Sequence, residues 1–467
     1  MPGRCFLLFA ALAASDADGN AFTEHVITAL ADGALEVFAI DVDGDGDTDA
    51  LSANWNDNTV AWYENDGSQS FSERVISTLA VDGVRGVFAI DVDGDGDVDA
   101  LSTLQNEDTV AWYENDGAQS FTERIISDTA DGALSPFAID VDGDGDVDAL
   151  SASFNDDTVA WYENDGSQSF TQRIITDSAN YVYSVFAIDV DGDGNVDVLS
   201  ASRSDNTVAW YENDGSESFH KHVITYWATR ACSVFAIDVD GDGDVDALSA
   251  SSFFDGAVSD NTVAWYENDG SESFTKRVIT TLADGAYSVF AIDVDGDGDV
   301  DALSASFNDD TVAWYENDGS QSFTKRVITD SADEVWSVYA IDVDGDGDVD
   351  ALSASEQDDT VAWYESLMTP APTMTPATKE PTVAPTPSPN RDDDDDDDDE
   401  AALAFTALLA VVLLAVCLFG CGAGFFFFYA RSKSAGNEKE ASSQELPGLF
   451  KHSSKVEQTS KPPMPLV

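Results

Sequence analysis

Nine-residue strings of the form D-x-D-G-D-G-[DN]-x-D begin at Asp41, Asp91, Asp140, Asp189, Asp238, Asp293 and Asp342. The first, third, fifth and ninth positions are always aspartate. In chain order they are Asp41, Asp43, Asp45 and Asp49, then Asp91, Asp93, Asp95 and Asp99, then Asp140, Asp142, Asp144 and Asp148. Asp189, Asp191, Asp193 and Asp197 follow, then Asp238, Asp240, Asp242 and Asp246. The last two sets are Asp293, Asp295, Asp297 and Asp301, and Asp342, Asp344, Asp346 and Asp350. Carboxylates so spaced can converge on one cation. The seventh-position carbonyl, from Asp47, Asp97, Asp146, Asn195, Asp244, Asp299 or Asp348, can add another oxygen. Glycine at position six permits the sharp turn. Hard oxygen donors in a flexible loop select Ca²⁺, which accepts about six to eight of them, whereas Zn²⁺ wants Cys or His. One ion per loop gives about seven.

Other readings of these strings fare worse. The match to an EF-hand is partial, because its twelfth position is Ser52 and no helix flanks the loop. The loops are single and widely spaced, unlike the tandem repeats of RTX proteins. As bare solvated turns they would hold carboxylates dense enough to repel one another. Nothing else in the chain is arranged for catalysis. No nucleophile–base pair, metal triad or phosphate-cradling glycine loop occurs, and His220 and His222 read as isolated surface residues. The chain is therefore expected not to be an enzyme. A net charge of -71, from 91 acidic and 20 basic residues, also excludes nucleic acid as a partner, which needs a basic surface.

The elements that must position the loops recur with them. The intervals are 50, 49, 49, 49, 55 and 49 residues, and a period near 50 marks a stacked array. Each unit predicts four short strands, in the first copy over 37–41, 50–53, 59–64 and 71–76. Asn65-Asp66-Gly67 is a hairpin signal between the third and fourth. Trp62 and Tyr63 point to opposite faces of one strand, which predicts core between units and not a sugar platform. Four strands per unit, seven units and no helical period before residue 400 predict an all-β fold, a seven-bladed β-propeller. The first copy opens with a lone fourth strand at 22–28 and the last stops after a third strand at 365. Pairing the two completes a seventh blade and closes the ring.

The unit VFAIDVDGDGDVDALSAS…DTVAWYENDGSQSFTKRVI resembles the VCBS/FG-GAP repeat, the calcium-loop blade of integrin α-type propellers. The resemblance spans about residues 21–365, although the literal F-G and G-A-P tripeptides are missing. It implies calcium in the loop between first and second strands, and so implicates the aspartates above.

The flanks read as addresses. Residues 1–15 resemble a secretory signal peptide, and 16–365 form the propeller. Residues 366–400 are a Pro/Thr-rich stalk ending in eight aspartates, and 401–430 are apolar enough to span a bilayer as one helix. Arg431 and Lys433 mark the cytosolic side of a tail over 431–467. A type I single-pass protein of the plasma membrane is expected, with the propeller outside.

Strand connectivity puts the calcium loops and hairpins on one rim. The opposite rim varies between copies and carries aromatics with occasional arginine, including Trp55, Arg85, Phe154, Tyr181, Tyr183, Tyr287, Phe307 and Trp336. Copy five adds six residues over 251–260. Tyr226, Trp227, Arg230, Phe253 and Phe254 near that insertion are the expected ligand-binding residues, since aromatics and arginine dominate binding hot spots. The expected function is calcium-dependent adhesion or recognition of an extracellular protein or glycan. The alternative is an acidic surface protein that sequesters calcium or associates with mineral.

Overall fold

The computed structural model describes residues 21–78, 83–252 and 261–368. Twenty-eight strands, β1–β28, run through them in seven four-stranded antiparallel sheets. The sheets are β2–β5 (34–78), β6–β9 (84–127), β10–β13 (133–176), β14–β17 (182–225), β18–β21 (231–280), β22–β25 (286–329) and β26–β28 (335–366) with β1. The only other regular element among the described residues is one 3-10 turn, Gln105–Glu107. The fold is an all-β, seven-bladed propeller.

The first blade shows why these segments become these strands. β2 (Ala34–Ile40) alternates buried and half-buried positions, as a strand facing a narrow channel should. β3 (Asp49–Asn54) is buried at every position, and β4 (Thr59–Asn65) at all but Glu64. Neighbouring blades cover both faces of these middle strands, so both parities are apolar. β5 (Phe71–Thr78) is the mostly exposed outer edge. In the last sheet the order is β1-β28-β27-β26, with β1 (Phe22–Thr28) antiparallel to β28 (Thr360–Ser366). Phe22 lies opposite Ser366 and Glu24 opposite Tyr364, and the Leu367 amide donates to the Ala21 carbonyl at 2.7 Å.

Between blades the Trp-Tyr pair does what its alternation predicts. Trp62 packs with Val87, Ala89, Ala100 and Tyr113 of the next blade, while Tyr63 packs with Leu352 and Trp363 of the last. Both are about 1% exposed. Burying such side chains is worth roughly 1.5–3 kcal/mol each, so the repeated pair is a principal source of blade adhesion. Ser52 Oγ meets the Tyr63 hydroxyl at 3.1 Å, so the buried phenol is satisfied.

The innermost strands border one another in a closed cycle, β2 through β26 and back to β2. Their central aromatics, Phe38, Phe88, Phe137, Phe186, Phe235, Phe290 and Tyr339, form a continuous ring around the channel, with adjacent centroids 4.7–5.0 Å apart. One layer above, side chains stitch blade to blade. Val37 donates its amide to Ser337 Oγ at 3.4 Å, Val185 to Ser135 at 3.5 Å, and Val234, Val289 and Val338 to Ser184, Ser233 and Ser288 at 3.3 Å each. Val87 instead donates to Glu36 Oε2 at 3.1 Å. The seventh junction dispenses with the bond on both sides. Gly86 has no side chain to accept, and Pro136 has no N–H to donate. A Cβ on Gly86 would meet Pro136 Cδ at 2.3 Å, so the two are matched by shape as well.

Several sequence expectations lie outside the described residues: the leader 1–15, all of the stalk beyond 368, the span 401–430, the tail 431–467, and Phe253 and Phe254 of the rim. No helix of the described residues is long and apolar enough to cross a membrane.

Candidate metal centres

Each aspartate loop joins the first strand of a blade to the second, as 41–49 joins β2 to β3. The ninth aspartate opens the second strand and is a brace. Asp49, 1% exposed, accepts the Val42 amide on Oδ2 at 3.0 Å and the Asn65 amide on Oδ1 at 2.7 Å. It thereby ties the start of the loop to the end of the third strand. Every copy repeats the brace, ending with the Ser366 amide on Asp350 at 2.8 Å. Burial pushes these acids up, to about 7 for Asp49, Asp246, Asp301 and Asp350 and to about 6 for Asp99, Asp148 and Asp197.

The loop itself winds around its first aspartate. Asp41 accepts the Gly44 amide on Oδ1 at 2.8 Å and the Gly46 amide on Oδ2 at 2.9 Å. Asp43 accepts from Asp45, and Asp45 from Asp47, at 3.3 and 3.0 Å. Carboxylate oxygens of Asp41, Asp43 and Asp45 lie within 4.8 Å of one another. In copies two to five the oxygens within that span belong to the first, third and ninth positions, as in Asp91, Asp93 and Asp99. There the fifth aspartate stands outside the cluster.

The seventh side chain turns to the hairpin instead. A Cβ on Gly67 would meet the Asp47 carboxylate at 2.4 Å, and Gly67 itself sits at φ +70°, so both space and backbone demand glycine. The clusters suit a divalent cation. Burial and the neighbouring Asp45 charge raise the Asp43 acid, so ionised carboxylates are held together at a cost that a cation would offset. The donors are all oxygen, which favours Ca²⁺ over softer-ligand metals.

Adjacent loops also touch. Gln119 of the second hairpin donates to Asp43 at 3.0 Å, Gln168 to Asp93 at 2.9 Å, Gln321 to Asp240 at 3.0 Å, and Gln69 to Asp344 at 3.2 Å. The same hairpin position is Glu217 in copy four and Glu272 in copy five.

On the opposite rim the expected ligand residues separate. Tyr226 and Trp227 are 63% and 79% exposed. Arg230 lines a recess with Phe154, Tyr181 and Arg203, of which Tyr226 and Trp227 are not part. The sequence reading missed Arg203 and Glu36. Aligning the copies would have shown Arg203 standing where the others carry Trp55, Phe154 and Phe307. His222 is a surface residue with a structural task. It meets Glu212 at 2.8 Å and stacks on Trp210 at 4.5 Å, in the place where Arg74 pairs with Glu64. His25 does the same with Glu365 and Trp363.

Comparison with known proteins agrees with this architecture. Among solved structures, BBS1N in complex with ARL6DN matches with a TM-score of 0.53 at 10% identity, over 74% of this chain and 97% of that one. A virginiamycin B lyase from Staphylococcus aureus, solved with quinupristin, matches at 0.50 and 12% over 73% and 98%. A streptogramin B lyase matches at 0.50 and 14% over 74% and 98%. At such identities the likeness is one of fold. That fold carries both lyases and a protein in complex with a partner, so it does not by itself decide between catalysis and binding. No curated protein matches the sequence. A family model described as FG-GAP-like repeat matches six times, at residues 41–102, 91–151, 140–200, 189–249, 253–304 and 293–353. Five of these run from one aspartate loop past the next, and the sixth starts late, in the copy with six extra residues. The matches cover most of residues 41–353, and the chain belongs to the FG-GAP-like repeat family.

Proposed function

We propose that this propeller is a calcium-loaded recognition module, held outside the plasma membrane by the apolar segment 401–430 and binding a protein or glycan through its variable rim. Calcium fills the seven loops and cross-braces each blade, and β1 latches the ring by completing the last blade. The observation that supports this best is a contrast between equivalent positions. The loops repeat almost without change, whereas the second-to-third-strand turns present Trp55, Gln105, Phe154, Arg203, Ser252, Phe307 and Glu356 in succession. Seven identical ions need seven identical sites, and one asymmetric ligand needs seven different ones. Extracellular calcium modules bind at about 10⁻⁴ to 10⁻³ M, so the sites would fill outside a cell.

The test displays the full-length chain on cells and measures capture of extracellular proteins and glycans with calcium or with a chelator. Capture that needs calcium and is weakened by Trp227→Ala and Tyr226→Ala supports the reading. Uptake of tens of weakly held ions with no gain in stability and no captured partner would replace it with calcium sequestration, which the large negative charge favours.

A further inference from the structure

The geometry points to the mouth of the central channel on the variable rim, together with the recess lined by Tyr181, Arg203 and Arg230 beside it, as a binding site for a small ring-bearing anion, a carboxylated or sulfated monosaccharide unit. This rests on the reading of that rim as the recognition surface and names what one part of it holds.

The innermost strands open there into a cavity of about 90 Å³. A water's share of liquid volume is roughly 30 Å³, so the cavity takes about three waters, room for the acid-bearing edge of a small ring at its open mouth. A neighbouring recess of about 330 Å³ adjoins it through Arg203. The guanidinium of Arg85 lies 4.7 Å over the Trp336 ring, and that of Arg203 lies 4.8 Å over Tyr183. Arg203 also donates to the Tyr183 and Tyr287 hydroxyls at 2.6 and 3.2 Å, and Tyr287 stands 4.3 Å from Trp336. Arginine, aromatic, aromatic, arginine thus form one unbroken track. A guanidinium stacked by its face keeps N–H donors in its plane, the arrangement that takes a carboxylate or sulfate. The aromatic faces and the serine and tyrosine hydroxyls around them suit a ring carrying hydroxyl groups. Glu36 is the acid in the wall. Its carboxylate accepts the Val87 amide and faces Arg85, and burial pushes it up to about 7, which favours its neutral form.

A second observation is independent of the cavity. The residue before each first strand is glycine in four copies, at φ between +72° and +125° (Gly33, Gly83, Gly132 and Gly285). Copies four, five and seven place Tyr181 at φ +54°, Arg230 at φ +53° and Glu334 at φ +56° instead. Bulky side chains are strained in this left-handed region, and strain of this kind gathers at ligand sites. Of the three, Tyr181 and Arg230 line the recess and Glu334 does not. Copy four also makes room for the larger side chain. A Cβ on Gly33 would strike Asn56 at 2.6 Å, but the residue corresponding to Asn56 there is the smaller Ser204.

The experiment titrates the calcium-loaded full-length chain with glucuronate, glucose 6-sulfate, glucose and acetate, read by calorimetry and ligand-detected NMR. The acidic sugars bind at least tenfold more tightly than glucose or acetate, and the first two arms show which acid is preferred. Arg203→Met weakens them about tenfold, by loss of charged hydrogen bonds. Arg230→Gly and Tyr181→Gly also weaken binding several-fold, yet leave the melting temperature unchanged or higher because glycine relaxes the turn. Equal binding of acidic and neutral sugars, acetate binding as well as the sugars, or undiminished binding to Arg230→Gly overturns the proposal. A calcium-dependent partner captured at Trp227 with no sugar acid bound at the channel removes this inference alone. Absence of any calcium effect removes the underlying reading as well.

Discussion

The two rims of the propeller are built by the same strands and obey opposite rules. On one, the nine-residue loop and the N-D-G hairpin are copied with hardly a change, and each buried ninth aspartate makes the same two amide bonds. On the other, equivalent positions hold Leu35, Arg85, Leu134, Tyr183, Cys232, Tyr287 and Trp336. The first rim is held by bonds within each blade and by inter-blade bonds that recur, as Gln119 to Asp43 recurs in Gln168 to Asp93, so every blade can be nearly the same. Contacts that reach past a neighbouring blade mark the second, as Arg203 of the fourth blade meets Tyr287 of the sixth and Arg85 of the second meets Trp336 of the seventh, so its residues can only be chosen as a set.

The contrast breaks most visibly on metal removal. At about 10 mM calcium, sites of the affinity usual outside cells contribute roughly 1.4–2.7 kcal/mol each. Stripping seven loops should therefore lower the melting temperature by more than about 10 °C in calorimetry. An unchanged midpoint would mean that the loops are ordinary turns.

Single substitutions come next. Asp301→Ala removes two charge-assisted amide bonds and one ion, and should cost about 3 kcal/mol with the bound stoichiometry falling by one. Trp227→Ala on the other rim, 79% exposed, should shift stability by no more than about 0.5 kcal/mol. Comparable losses from the two would abolish the distinction.

The metal-free protein should also respond to pH in an unusual sense. The braced acids titrate at about 6–7 when folded, above the unfolded value near 3.9, so the folded state keeps their protons longer. Stability contributed by those protons is complete below about pH 4 and fades as pH rises through 7. Melting in a chelator should thus decline between pH 4 and 8, and calcium, which takes the ionised form, should reverse the trend. A rising midpoint in chelator over that window contradicts the burial of these acids.

The smallest effect isolates backbone strain on the variable rim. Glu334 holds φ +56° where four copies have glycine, and Glu334→Gly should stabilise by about 0.5 kcal/mol in denaturant titrations. If it destabilises instead, the glutamate is held by contacts that outweigh the strain.

Much of this was legible in the amino-acid order, for a definite reason. A motif within nine residues closes on itself, so Asp41, Asp43 and Asp45 could be grouped without knowing where any other blade lay. The parity of a strand placed Trp62 and Tyr63 between blades. The ninth aspartate was harder, because its partner Asn65 is sixteen residues away and its burial is a property of the finished blade. The fifth aspartate was expected beside the others, and in copies two to five it stands apart.

Sequence by itself determined the strands, the seven-fold repeat and the oxygen-rich loops, because periodicity and short-range turns act within one unit. Only the assembled ring decided the rest. Arg85 meets Trp336 across the channel mouth although about 250 residues separate them, and Gly86 tolerates Pro136 because the next blade arrives with no amide to satisfy. Those pairings follow from the angle at which seven similar sheets close on one axis, and no single repeat contains that angle.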